Sequence, residues 1–86
     1  MIVFDAAKDA ANIAKHGVSL SRAEDFEAIM FVVDDRRDYG ETRYRAYGHL
    51  DGKPHCLVLT DRDGVLRAIS LRRAHEKEMK RHVPQG

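Results

Sequence analysis

The spacing of apolar and polar positions predicts that the chain opens with a short strand and a helix. Ile2-Val3-Phe4 is a short apolar run that is typical of a strand. Residues 6–16 follow as a predicted helix rich in Ala and Lys, with Asp5 as a good N-cap. Gly17 stands where a glycine commonly ends a helix, so the spacing fixes both helix boundaries.

A second helix is predicted over about residues 20–29. Apolar side chains recur there at helical intervals and would form one face: Ala23, Phe26 and Met30. Ser19 and Ser21 are both candidate N-caps, and Ser21 with Glu24 has the spacing of a capping box.

After this helix the apolar period changes to that of strands. The predicted strands cover Phe31-Val32-Val33, residues 42–50, residues 55–60 and residues 65–71. Asp51-Gly52 and Asp63-Gly64 are hairpin-turn signals, so the last three strands should form an antiparallel meander. Residues 74–82 are predicted to be a basic terminal helix, and residues 84–86 to fray. We expect an α+β fold: a mostly antiparallel sheet with two N-terminal helices and one C-terminal helix.

Length and composition favour one small domain over residues 1–86. The chain has no Trp and no apolar run of the 18 residues that a membrane helix needs, so no membrane span is predicted. The N-terminus lacks the features of a signal peptide. The single cysteine, Cys56, lies in an apolar run, which favours a buried small hydrophobe over a catalytic thiol. These observations predict a cytoplasmic protein.

Charge is distributed unevenly along the chain. Residues 1–42 carry five Lys and Arg against nine Asp and Glu, a formal charge of −4. Residues 43–86 carry ten Lys and Arg against five Asp and Glu, a formal charge of +5. A basic half of a small domain is a plausible phosphate-binding surface, but an acidic protein partner would suit it equally well.

The strand over residues 43–50 concentrates the side chains that could bind RNA. Side chains alternate between the faces of a strand, so Tyr44, Ala46, Gly48 and Leu50 form a core-like side. The opposite side presents Arg43, Arg45, Tyr47 and His49. Arginine binds phosphate through a rigid fork, and aromatic rings offer a stacking surface for unpaired bases. The alternative is a solvated sheet face whose charges are incidental.

Two further arginines, Arg72 and Arg73, end the last strand and point to opposite faces. One could reach a phosphate while the other pairs with a carboxylate such as Glu76 or Glu78. The histidines are natural acid–base candidates, but none of them has the spacing of a metal site. Glycine-rich phosphate loops are absent as well, so no cofactor or metal is expected.

Two motifs together resemble the BrnT toxin family. The first is Phe4-Asp5-x-x-Lys8-x-x-x-Asn12-x-x-Lys15-His16-Gly17-Val18-Ser19. The second combines Glu41-x-Arg43, Gly48 and Ile69-Ser70-x-Arg72-Arg73-Ala74-x-x-x-Glu78. The resemblance covers about residues 4–82, with one departure: His82 stands where family members commonly carry Tyr.

The resemblance implies a ribonuclease toxin of a type II toxin–antitoxin system, similar in fold to the RelE superfamily. It implies endoribonucleolytic cleavage without a metal: the ribose 2′-OH attacks its neighbouring phosphate and leaves a 2′,3′-cyclic phosphate and a 5′-hydroxyl. It also implies a BrnA-like antitoxin with a ribbon-helix-helix DNA-binding part. The toxin would then meet operator DNA only through this antitoxin.

That chemistry needs a base, cations that stabilise the phosphorane, and an acid. The predicted catalytic residues are Arg43 and Arg72 for charge stabilisation, completed by Lys15, His16 and Glu78. The predicted RNA-binding residues are Arg45, Tyr47, Arg73 and His82. The choice of base stays open at this point. So do two structural roles: a helix end for Lys15-His16 that only orders the turn, and an ion pair for Glu78.

Two other functions use the same residues. A non-catalytic module would bind nucleic acid or an acidic partner through the basic strand face, because phosphate binding does not require turnover. A degenerate toxin would retain only antitoxin binding and operon repression. RNA cleavage by the purified protein separates the enzyme from both.

Overall fold

The computed structural model describes residues 1–83 and shows an α+β fold built on one five-stranded sheet. The strands are β1 (Ile2–Val3), β2 (Glu27–Asp34), β3 (Arg43–Leu50), β4 (Lys53–Arg62) and β5 (Val65–Arg73). The helices are α1 (Ala6–His16), a 3₁₀ helix (Leu20–Asp25) and α2 (Glu76–His82). No helix within residues 1–83 is both long and apolar enough to cross a membrane. The predicted fraying of residues 84–86 lies outside the described residues.

The strands lie in the order β1-β5-β4-β3-β2. β2 to β5 form an antiparallel meander, and β1 pairs in parallel with β5 through Ile2 and Val3 only. Asp51-Gly52 and Asp63-Gly64 have positive φ at both residues, which suits tight hairpin turns. The predicted meander is therefore confirmed, and β2 adds a fourth strand to it.

Helix α1 has the predicted bounds because both of its ends are capped locally. The Asp5 carboxylate accepts a hydrogen bond from the Lys8 backbone N–H at 3.1 Å. At the other end Gly17 adopts a left-handed φ of 74°, and its N–H donates to the Ile13 carbonyl at 2.8 Å. Lys15 and His16 are thereby fixed in the last turn.

The predicted second helix over residues 20–29 is wrong. Only the 3₁₀ helix Leu20–Asp25 forms, capped by Ser19, and β2 begins at residue 27. Phe26 packs into the core on one face of the sheet and Met30 into the core on the other, so they never share a helical face. Glu24 accepts a hydrogen bond from the Ile2 backbone N–H instead of closing a capping box. Long-range contacts thus override the local helical spacing.

The sheet has a core on each face. One core lies between the sheet and the face covered by α1 and the 3₁₀ helix. Its buried residues are Leu20, Ala23, Ala46, Leu50, Leu57, Leu59, Ala68 and Leu71. The other core lies between the sheet and α2, and its buried residues are Tyr47, Cys56, Ala74, Met79 and Val83. The predicted core side of β3 is confirmed by Ala46, Gly48 and Leu50, which are all buried.

β2 is an edge strand of the sheet, and it approaches β3 very closely at Gly48. A Cβ on Gly48 would lie 2.0 Å from the Glu27 carbonyl oxygen, beside the register shift between Ala28 and Met30. Only glycine fits this contact. At the shift and beyond it, three apolar side chains of β2 are more than half exposed: Ile29, Phe31 and Val33.

Candidate functional site

A cleft of about 370 Å³ lies between α1 and β5, where β1 has ended. We call it the α1–β5 cleft. Its lining residues are Lys8, Ala11, Asn12, Lys15, His16, Ile69, Ser70 and Arg72. β1 reaches only as far as Arg67 in the register, so no strand among residues 1–83 covers this side of β5 beyond Arg67. The cleft brings together three predicted site residues that are distant in sequence: Lys15, His16 and Arg72.

The buried side chain of Asn12 holds the two walls of the cleft together. Its Nδ2 donates to the Leu71 carbonyl at 2.8 Å, and its Oδ1 accepts from the Leu71 N–H at 3.1 Å. Nδ2 also donates to the Val18 carbonyl at 2.9 Å. The amide therefore pairs with β5 much as a further strand would, and it anchors α1 one turn before Lys15 and His16.

The α1 wall of the cleft carries positive charge. Lys8 and Lys15 are exposed and form no ion pair within residues 1–83. Burial lowers the pKa of His16, and the charges of Lys15 and Arg72 lower it further. This lowered pKa favours the neutral imidazole, which can accept a proton.

Arg72 reaches the cleft from β5 and is held by Glu78 of α2. Its Nη1 and Nη2 donate to the two carboxylate oxygens of Glu78 at 2.9 and 2.6 Å. This bidentate pair lowers the pKa of Glu78 to about 2, which makes the carboxylate a weak base. The ion pair foreseen for Glu78 is confirmed, and it orients the guanidinium.

Behind Arg72, three of the predicted RNA-binding residues form a packed network. The Tyr47 hydroxyl donates to Glu78 at 3.5 Å and accepts from Arg45 at 3.1 Å. The ring of His82 stacks on that of Tyr47, with centroids 4.7 Å apart and planes inclined by 11°. Burial lowers the pKa of His82 and raises that of Tyr47.

This network corrects the expectation of an open aromatic surface on β3. Tyr47 is completely buried, because α2 covers this end of the face and the His82 ring stacks on the Tyr47 ring. Arg45 keeps only 13 % of its side chain exposed and lies 3.9 Å from Asp34. Both residues are on the predicted face, but neither offers a surface on which an unpaired base could stack.

Arg43 is predicted together with Arg72 for charge stabilisation, but the sheet register sets the two residues apart. In the register Tyr47 is opposite Cys56, and Cys56 is opposite Arg72, whereas Arg43 is four residues from Tyr47 along β3. At about 3.3 Å per residue this separation is roughly 13 Å. Arg43 instead pairs with Glu41 at 3.2 Å and lies over the ring of Tyr39.

Arg73 points away from Arg72, as predicted, and lines a second cleft. That cleft, of about 260 Å³, lies on the other side of His16. Of the two arginines, Arg72 pairs with a carboxylate and Arg73 forms no ion pair within residues 1–83. This is the division of roles that alternation along the strand predicts.

No group of three or more His, Cys, Asp and Glu side chains in residues 1–83 is placed to hold a metal ion. Cys56 is completely buried beside Tyr47, and burial raises the pKa of its thiol. The expectation that Cys56 is a buried small hydrophobe is confirmed.

Three polar residues of the cleft stand in the quoted family motifs but had no role assigned to them: Lys8, Asn12 and Ser70. Lys8, Asn12 and Lys15 have the spacing i, i+4, i+7, which places them on one helix face. That spacing alone would have indicated that Lys8 and Asn12 belong to the same site as Lys15. Ser70 has no such signal, because its position depends on where β1 ends.

One comparison with known proteins gives a match. A family model described as "Ribonuclease toxin, BrnT, of type II toxin-antitoxin system" matches residues 4–78. The match includes every lining residue of the α1–β5 cleft and ends at Glu78, so His82 lies beyond it. No curated protein and no solved structure matches the chain.

Proposed function

The chain belongs to the BrnT family of ribonuclease toxins from type II toxin–antitoxin systems, and we propose that its RNA-cleaving centre is the α1–β5 cleft. One observation carries this proposal: an imidazole, an ammonium and a guanidinium line the same concave surface. These groups match the base, the acid and the charge stabilisation that metal-independent RNA cleavage requires.

His16 is the proposed base. Its neutral imidazole takes the proton of a ribose 2′-OH, and the oxygen attacks the adjacent phosphorus. The bond from phosphorus to the 5′ oxygen then breaks, which leaves a 2′,3′-cyclic phosphate on one product. The Lys15 ammonium donates a proton to the departing oxygen, so the other product has a 5′-hydroxyl.

Arg72 is proposed to stabilise the charge that builds up on the phosphorane. Glu78 holds two of its nitrogens at hydrogen-bond distance, so the guanidinium is already oriented before the substrate binds. Glu78 is thus a positioning residue, and the low pKa that keeps it ionised suits this role better than proton transfer. Tyr47 supports Glu78 from behind, and Arg45 and His82 in turn support Tyr47.

A type II toxin has a protein antitoxin as its partner. We propose that this partner is BrnA-like, with a ribbon-helix-helix part through which alone the complex contacts operator DNA. We also propose a cytoplasmic location and a fold related to the RelE superfamily, in which helices pack on an antiparallel sheet. Mixing the toxin with a BrnA-like protein, followed by size-exclusion chromatography and an operator-DNA shift, tests this pairing.

Cleavage of single-stranded RNA in EDTA tests the catalytic proposal. Wild-type protein should cut the RNA and leave cyclic phosphate ends, while His16→Ala and Arg72→Ala should each lose at least about a hundredfold in rate. Arg43→Ala is the matched control, since Arg43 lies outside the cleft, and it should retain most of the activity. Circular dichroism checks that each variant is folded.

Two outcomes would contradict the proposal. Undiminished cleavage by both His16→Ala and Arg72→Ala would place the catalytic centre elsewhere. RNA binding with a steep salt dependence but no cleavage at all would indicate the non-catalytic module instead.

A further inference from the structure

The second cleft offers cations that the proposed cleavage reaction leaves unused. It lies where α1 ends and the β3–β4 hairpin meets the end of β5, and we call it the Arg73 cleft. Among its lining residues are His16, Arg22, Asp51, Lys53, His55 and Arg73. Of these residues, Arg73 was a predicted RNA-binding residue, whereas Arg22, Lys53 and His55 belonged to no predicted site.

Lys53 and Arg73 are the cations available to a ligand in this cleft. Both are exposed, and neither forms an ion pair within residues 1–83. The cleft also contains one carboxylate, Asp51, but Arg22 donates to it at 2.8 Å and compensates its charge. The remaining charge in the cleft is therefore positive, which favours an anion.

A buried histidine faces the same space. His55 is 6 % exposed, and its Nδ1 lies 2.8 Å from the Lys53 carbonyl oxygen. Since a carbonyl only accepts, Nδ1 carries a proton and the ring orientation is fixed. Nε2 has no hydrogen-bond partner within residues 1–83, so a polar group of the imidazole is left for a ligand.

His16 connects the two clefts, because it lines both of them. Arg72 and Arg73 are consecutive residues whose side chains enter different clefts. A polymer with a negative charge on every unit can therefore place one charge against Arg72 and the next against Arg73. RNA has this repeat, since each nucleotide carries one phosphate.

We infer that the Arg73 cleft binds the phosphate next to the one that is cleaved. This inference rests on the proposed function of the α1–β5 cleft. The substrate is then a single RNA strand that spans at least two consecutive phosphates across His16. Lys53 and Arg73 bind the neighbouring phosphate and take no part in the chemical step.

Substrate length tests the inference. Wild-type protein should cleave a ten-nucleotide RNA with a kcat/KM at least about tenfold above that of a dinucleoside monophosphate, which has one phosphate. Lys53→Ala with Arg73→Ala should remove most of this advantage and lower the dinucleoside rate far less than the decamer rate. Lys80→Ala, which removes an exposed lysine of α2 that lines neither cleft, is the matched control and should leave both rates unchanged. An equal loss on both substrates would overturn the inference.

Binding gives a second readout that does not depend on cleavage. A 2′-O-methyl decamer cannot be cut, and its affinity should fall with salt along a slope that decreases by about 0.7 for each phosphate that the protein no longer binds. The double variant Lys53→Ala, Arg73→Ala should show this decrease, and Lys80→Ala should not. If the wild type cleaves no RNA, the proposed function fails. The salt slope still shows whether the Arg73 cleft binds a phosphate. An unchanged slope combined with weaker antitoxin binding would overturn the inference in favour of an acidic protein segment.

Discussion

At the scale of single residues, the state of Arg72 in the free protein has a consequence for its function. Both of its terminal nitrogens already donate to Glu78. A guanidinium has five N–H donors in a planar fork, so the pair fixes the group and leaves further donors for a phosphate. Lysine at this position would keep the charge but lose the fork, and with it the orientation that Glu78 provides.

His16 gives a prediction at the same scale. The proposed base must be neutral to accept a proton, and burial, Lys15 and Arg72 all lower its pKa. The acid limb of the kcat/KM profile should therefore have its midpoint below pH 6.5, the ordinary value for histidine. In Lys15→Ala the midpoint should rise toward 6.5, because one of the two nearby positive charges is gone.

Lys8→Ala is the control for this measurement, since Lys8 lines the cleft without contributing to the lowered pKa of His16. Its midpoint should match that of the wild type. NMR titration of the His16 ring without RNA provides a readout that is separate from the rate. A midpoint at or above 6.5 in the wild type, or one that Lys15→Ala does not move, would count against His16 as the base.

At the scale of elements, the chain shows which structure its local sequence can specify. α1 and the two hairpins were predictable, because caps and turn residues act within a few positions of the chain. The region after Ser19 was not, because Phe26 and Met30 are placed by two cores on opposite faces of a sheet. Their helical spacing is a coincidence that only the complete sheet reveals.

The candidate site divides in the same way. Alternation along a strand correctly separated Arg72 from Arg73 and placed Arg43 on the same face of β3 as Tyr47. It could not show how far along the sheet each side chain lies, because that depends on the register between strands. Arg43 was therefore grouped with Arg72, from which the register separates it.

Gly48 gives the prediction for this scale. In Gly48→Ala the new methyl group would overlap the Glu27 carbonyl, so β2 has to move away from β3. The free energy of unfolding should fall by about 1–3 kcal/mol, as for other overpacked sites. Urea denaturation followed by circular dichroism measures this loss.

Gly40→Asn is the matched control. Gly40 has a positive φ, which Asn tolerates, and nothing lies within 4 Å of an added Cβ. Its stability should stay within about 0.5 kcal/mol of the wild type. Equal losses of unfolding free energy in the two variants would show that the close approach of β2 does not make Gly48→Ala more destabilising than a change at an open position.

At the scale of the whole molecule, the uneven charge of the sequence acquires a spatial meaning. The first half of the chain has a net charge of −4, yet it supplies Lys8, Lys15 and His16 to the clefts. Several of its carboxylates are occupied elsewhere: Asp34 pairs with Arg36, and Glu41 with Arg43 and Arg62. The fold thus assembles a basic surface from both halves, which a count along the chain does not show.

The same ion pairs predict how the molecule responds to acid. Arg36 lowers the pKa of Asp34 to about 2, and Arg72 does the same to Glu78. The unfolded chain has pKa values near 3.8 and 4.5 for these groups, so it binds protons first as the pH falls. The stabilisation is complete above pH 4.5 and is lost as the pH falls toward 2. Each carboxylate should contribute about 1–2 kcal/mol, less than the full shift in pKa would give because the pairs are partly exposed to water.

Urea unfolding between pH 7 and pH 2.5 measures this loss, and Glu78→Gln separates one contribution from the other. The variant is expected to be less stable than the wild type at pH 7, because Arg72 loses its ionised partner. Below pH 4.5 the two curves should converge, since protonation removes the same charge from the wild type. Parallel curves over this range would mean that the pair between Arg72 and Glu78 does not stabilise the fold. α2 would then be held over Tyr47 by its other contacts, among them the stacking of His82 and the packing of Met79.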